Sequence, residues 1–110
     1  YSSALAVGSL VFLSGQIPID PRNNQLMKDA SIDDQTRLVL DNLKAVLEAN
    51  GMTMANVVST SVFLKNLDDF AKMNAVYGTY FPSAPPARAT VEVSRLPRDV
   101  KVEISAIAAR

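Results

Sequence analysis

The stretch Pro85-Pro86-Ala87-Arg88-Ala89-Thr90-Val91-Glu92-Val93, continued by Ser94-Arg95-Leu96-Pro97-Arg98-Asp99 and Val100-Lys101-Val102-Glu103-Ile104, decides the fold. It reads as two strands joined by a Pro-bounded turn. Val91 and Val93, then Val100, Val102 and Ile104, take every second position, which is the pattern of a half-buried strand. Side chains alternate across a strand, so Arg88, Thr90 and Glu92 are expected opposite that apolar stripe, together with Lys101, Glu103 and Ser105. A cation, a hydroxyl and a carboxylate are thereby gathered on one face, the candidate site.

Upstream, Ser2 to Val7 reads as a short strand, Gly8-Ser9 as a turn, and Leu10-Val11-Phe12-Leu13 as an apolar run ending in Ser14-Gly15-Gln16. An unbroken apolar run of this length suits a strand buried on both faces. Gly15 marks a bulge or a place where another group approaches the backbone closely. Pro18 to Asn24 reads as a loop. Ser31 is placed to cap a helix with Asp33 and Asp34 in its first turn, and Ile32, Val39, Leu40, Leu43, Val46 and Leu47 recur at helical spacing. That helix is predicted from about Ile32 to Asn50, with Gly51 as its stop. Thr53 to Asn56 is predicted as a single turn. Val57 to Leu64, β-branched and aromatic-rich, is predicted as a central strand. Asn66 can cap a second helix on which Phe70, Met73, Val76, Tyr77 and Tyr80 fall near one face, ended by Pro82, Pro85 and Pro86.

The element order is β-β-α-β-α-β-β, an α+β fold, and 110 residues are expected to form a single domain. Two helices cover one face of such a sheet. Leu10–Leu13 and Val57–Leu64 carry apolar residues on both faces, and leaving the second face wet is unfavourable by about 25 cal/mol per Å² of apolar area. The expected cover is another copy of the chain, packed sheet-face to sheet-face around the site.

Composition narrows the chemistry. The chain has no Cys and no His, which removes disulfides, thiolate nucleophiles, zinc–thiolate sites, imidazole ligands and the Ser-His and Cys-His forms of nucleophilic catalysis. Acid–base work falls to Asp, Glu, Lys, Tyr or water. Eleven basic residues balance eleven acidic ones, so no long-range field draws nucleic acid or anionic lipid. No apolar run approaches the ~18 residues of a spanning helix, and no signal-peptide pattern is present. The chain opens at Tyr1 without Met, so upstream residues are expected. A cytoplasmic protein is expected, or an organellar one if a presequence has been removed.

Ser14-Gly15-Gln16-Ile17-Pro18, the segment from Val62 to Phe70, Asn74, and the closing run P-A-R-x-x-V-E-V-x-R-L-P-x-x-V-x-V-E-I from Pro86 to Ile104 resemble the Rid (reactive intermediate deaminase, or YjgF) family, which older usage calls L-PSP endoribonuclease. The resemblance spans essentially the whole chain. It implies a chorismate-mutase-like fold assembled as a homotrimer with sites between subunits, needing neither metal nor cofactor. It further implies hydrolysis of 2-imino acids, formed from enamines such as 2-aminoacrylate and 2-aminocrotonate, to 2-keto acids and ammonia.

Under that resemblance Arg88 falls at the carboxylate-binding position, suited by its planar bidentate fork. The plain alternative is an ion pair with Glu103 or Glu92. Glu103 falls where the attacking water is held, its alternative being a salt bridge with Lys101 or Arg88. Thr90 stands where archetypal members commonly have Cys: Thr serves if the position contributes mainly its backbone amide and a small polar side chain, and the chain is inactive if a thiol is required. Tyr1, Ser14, Gly15 and Asn74 match further pocket-lining positions, whereas Arg95 and Pro97 suit the turn. Two other functions compete: a non-catalytic module binding small carboxylates such as 2-keto acids, and the ribonuclease of the older name. The latter is disfavoured by the absent His, the zero net charge and an aromatic content of 6%.

Overall fold

A computed structural model describes residues 2–110; Tyr1, and with it the expectation that it lines a pocket, lies outside the described residues. The strands are β1 (Ala4–Val7), β2 (Leu10–Gln16), β3 (Ile19–Asp20), β4 (Gln25–Leu26), β5 (Val57–Leu64), β6 (Ala87–Glu92) and β7 (Val102–Ala109); the helices are α1 (Ile32–Ala49) and α2 (Phe70–Tyr80). Five strands form the main sheet in the order β1-β2-β7-β5-β6. All neighbours are antiparallel except β5 and β6, which run parallel. A parallel pair needs a crossover, and α2 supplies it.

Local chemistry explains the elements. Val7 pairs with Leu10 across Gly8-Ser9, and Gly8 takes the left-handed conformation (φ 59°) that such a tight hairpin favours. The Ser31 hydroxyl accepts the Asp34 amide at 3.2 Å, capping α1 where the sequence placed its start. Asn66 caps a single 3-10 turn over Leu67–Asp69, from which α2 continues.

Both helices pack on one face of the sheet. Val39, Leu40, Leu43 and Leu47 of α1 and Met73 and Tyr77 of α2 close over Val11, Leu13, Val62, Leu64, Val102, Ile104 and Ala108. On the other face Leu5, Val7, Phe12 and Val91 remain 60%, 56%, 40% and 45% exposed, an uncovered apolar surface within a single chain. Among the described residues no helix is long and apolar enough to cross a membrane.

Three expectations need correcting. The first strand begins at Ala4 rather than Ser2. The segment from Pro18 to Asn24, expected as a loop, enters a hairpin of two short strands, β3 with β4, whose turn is held by Arg22 donating to both carboxylate oxygens of Asp20 at 3.1 and 2.8 Å. Most consequentially, the two strands of the closing run do not pair with each other. β5 inserts between β6 and β7, so the Pro-bounded turn carries the chain past a whole strand. Arg95 serves that turn, pairing with Asp99 at 2.9 Å.

Candidate functional site

The register of β6 decides where the candidate side chains point. Arg88 lies opposite Thr60, Thr90 opposite Val62 and Glu92 opposite Leu64. Thr60, Val62 and Leu64 are buried beneath the helices, so Arg88, Thr90 and Glu92 share the helix face. On β7, Glu103 lies opposite Phe63 and Ser105 opposite Ser61, the alternate residues that face away. The expected gathering of Arg88, Thr90 and Glu92 with Glu103 and Ser105 on one face is therefore overturned for a single chain. Apolar alternation on β6 does not mark the core, because this edge strand turns Val91 to the open face. Lys101 also leaves the group, its ammonium donating to the Ala30 carbonyl at 2.6 Å.

What results is two half-sites. The first is built on the sheet edge over α2. Arg88 donates from Nη1 to Asn74 Oδ1 at 2.7 Å, and its guanidinium carbon lies 4.7 Å from the Tyr77 ring centre and 5.4 Å from that of Phe70. Beside it opens a cavity of about 460 Å³ lined by Asn74, Tyr77, Gly78, Phe81, Pro85 and Pro86. The Thr90 hydroxyl, on the same face, is buried with no hydrogen-bond partner among the described residues. Asn74 thus touches Arg88, and Thr90 shares its face.

The second half-site is built at a bulge. Leu13 pairs with Ala106 and Gln16 with Ile104, so Ser14 and Gly15 together oppose the one residue Ser105. The bulge presses Gly15 against Glu103 so closely that a Cβ there would collide with the carboxylate. Burial pushes the Glu103 carboxyl above its ordinary pKa. Ser14 is tied down, its hydroxyl donating to the Ser2 carbonyl at 2.6 Å.

Arg88 aligns through Thr60 with Ala106, three residues from Glu103 and two strands away. At strand dimensions that is about 10 Å along and about 10 Å across the sheet, with the side chains on opposite faces. The structural ion pairs weighed for these residues are absent. Among the described residues the ion pairs are Arg22–Asp20, Arg37–Asp34 and Arg95–Asp99, while Glu92 accepts the Leu67 amide at 2.8 Å. Arg88 and Glu103 are both left unneutralised. A larger hollow of about 510 Å³, between α1 and the loop after α2, is lined by neither Arg88 nor Glu103.

The sequence reading named Asn74 but missed the two rings under Arg88. Phe70, Asn74 and Tyr77 are spaced four and then three apart, which stacks them on one helix stripe. That spacing was the available signal, but only the parallel register brings Arg88 over it.

A mixed sheet with both helices packed on one face places the chain in the α+β class. The chain belongs to the family described as Endoribonuclease L-PSP, which residues 1–110 match throughout. It is 54% identical over 108 residues to a RutC family protein of Pyrococcus horikoshii, covering 98% of this chain and 85% of that one. It is 47% identical over 113 aligned positions to a 2-iminobutanoate/2-iminopropanoate deaminase of Salmonella typhimurium, covering 100% of this chain and 87% of that one. The crystal structure of the YjgF gene product of Escherichia coli superposes with a TM-score of 0.94 at 44% identity, covering 100% of this chain and 87% of that one.

Proposed function

We propose that this protein hydrolyses 2-imino acids to 2-keto acids and ammonia, working as a homotrimer whose sites lie between subunits. The observation that carries this reading is Arg88: an exposed guanidinium held by a neutral amide and two aromatic faces, with no carboxylate on it among the described residues. Arg22, Arg37 and Arg95 of the same chain are each paired with an aspartate. Arg88 keeps its charge and its free edge for an outside carboxylate. The relationship to the Salmonella typhimurium deaminase supports the same substrate class.

One chain holds the two halves on opposite faces, so a small imino acid reaches both only where a second copy brings its Glu103-bearing open face against the first copy's Arg88 edge. The uncovered apolar face supplies the drive for that contact. Arg88 then pairs with the substrate carboxylate. The Thr90 hydroxyl and the backbone around Gly15 donate to the imine region, and Glu103 holds the water. Water oxygen bonds to the imine carbon as Glu103 accepts its proton. That proton passes to nitrogen to give the carbinolamine; Glu103 then relays the hydroxyl proton to nitrogen as well, so the C–N bond breaks and the carbonyl forms as ammonia departs. A carboxyl whose pKa is raised is a better base for that transfer. Orientation and fixed charge carry the rate, with no covalent intermediate.

The test couples an amino-acid oxidase or a threonine dehydratase to the purified protein and follows imine loss. Acceleration by the unaltered protein that disappears in both Arg88→Ala and Glu103→Ala supports the assignment. No acceleration with any imine from a well-folded assembly overturns it in favour of a carboxylate-binding module. In that second reading Arg88 suffices, and Glu103→Ala leaves 2-keto acid binding intact.

A further inference from the structure

Arg88 stands on a built platform. Phe70, Asn74 and Tyr77 form one stripe of α2 beneath it, and Tyr77, the nearer ring, is fixed at its far end. The Tyr77 hydroxyl lies 2.7 Å from the Thr60 hydroxyl, and both residues are buried. Thr60 is the residue directly opposite Arg88 in the parallel β5–β6 register. The backbone ladder, the hydroxyl pair and the ring therefore form a closed circuit that returns to the guanidinium.

We propose that Tyr77, locked by Thr60, is a positioning residue that presets Arg88 for its carboxylate ligand; this rests on the reading of Arg88 as the carboxylate anchor. Arginine carries large rotamer entropy, and freezing it only when ligand arrives weakens binding. A carboxylate partner would freeze it beforehand but would compete with the ligand. An aromatic face and a neutral amide hold the cation while leaving its charge and outer edge available. The Tyr77 hydroxyl is engaged with Thr60, so its work is to orient the ring.

The experiment uses the full chain with Tyr77→Leu, which removes the ring, and with Tyr77→Phe plus Thr60→Val, which keeps the ring but removes its anchor without orphaning either hydroxyl. Each is made in the unaltered and the Arg88→Ala background. Readouts are calorimetric binding of pyruvate, KM and kcat for 2-iminopropanoate, and the Arg88 side-chain N–H resonance. Tyr77→Leu is expected to weaken pyruvate binding about 3- to 30-fold, to raise KM more than it lowers kcat, and to release Arg88 from its ring-current shift. The paired variant should show a smaller loss in the same direction, and both losses should vanish in the Arg88→Ala background. Equal losses in both backgrounds, or unchanged pyruvate binding while the Arg88 resonance moves, overturn the platform. If Arg88→Ala itself leaves pyruvate binding and turnover intact, the anchor reading falls and takes the platform with it. That pattern is distinct from one in which Arg88→Ala abolishes binding and Tyr77→Leu does nothing.

Discussion

Gly15 and Glu103 show how one missing side chain sets a functional group. The bulge brings the Gly15 backbone onto the Glu103 carboxylate, and the atoms a Cβ would meet are all in that side chain. A flexible chain end yields cheaply, so Gly15→Ala should fold with a Tm within a few degrees of the original. Displacing a water-holding group by about 1 Å costs on the order of 100-fold in rate, which is the loss expected in the imine assay. A parallel collapse of Tm and activity would show instead that the glycine serves the fold. Glu103 carries a second prediction, for the separated chain. Burial raises its pKa, so the folded state holds the proton more tightly than the unfolded state. Its stabilising contribution is thus complete below the unfolded pKa and is lost as pH rises through the raised folded value. In a chain kept from associating by Phe12→Lys, Glu103→Gln should match Glu103 in acid and become the more stable form toward neutral pH. Thermal melts across that range check the sign, and a variant less stable at neutral pH would mean a partner already supports the carboxylate.

Among the elements, the hydroxyl pair between β5 and α2 is the clearest polar commitment in the core. Thr60→Val leaves the buried Tyr77 hydroxyl without its partner, which should cost about 1–3 kcal/mol by chemical denaturation. Adding Tyr77→Phe should recover much of that loss, since the orphaned group is then gone. Neither residue was legible as a pair, because they lie 17 positions apart and meet only through packing. By contrast α1 was legible nearly to the residue: the Ser31 cap, the apolar period and Gly51 (φ 72°) all specify the same ends. β5 was legible too, from a run of β-branched residues bounded by a turn and by Asn66. β3 and β4 were not, being two residues each. The alternation of β6 was seen, but alternation carries no sign. Which side is inward depends on a register with β5, set by residues nearly 30 positions earlier, and so Arg88 and Glu103 were placed together when the sheet separates them. Ser14, Gly15, Asn74, Arg88, Thr90 and Glu103 were named from the sequence; the two rings under Arg88 and the division between faces were not.

For the whole molecule, that separation turns an error of placement into a testable property. The open face presents Leu5, Val7, Phe12 and Val91, with a hollow of about 240 Å³ to which Phe12, Ser59, Ser61 and Ser105 contribute. Phe12→Lys should therefore yield a folded monomer by sedimentation, inactive toward imines although Arg88 and Glu103 are untouched. The sharper test mixes two inactive variants, Arg88→Ala and Glu103→Gln, after partial denaturation to exchange subunits. In a closed ring each site takes Arg88 from one copy and Glu103 from its neighbour. A site is intact only when a Glu103→Gln copy supplies the arginine and an Arg88→Ala copy supplies the glutamate. Random equimolar assembly gives that arrangement at about one site in four, so about a quarter of the original activity should return. If instead both residues act within one chain, every site lacks one of them and the mixture stays inactive however thoroughly the subunits exchange.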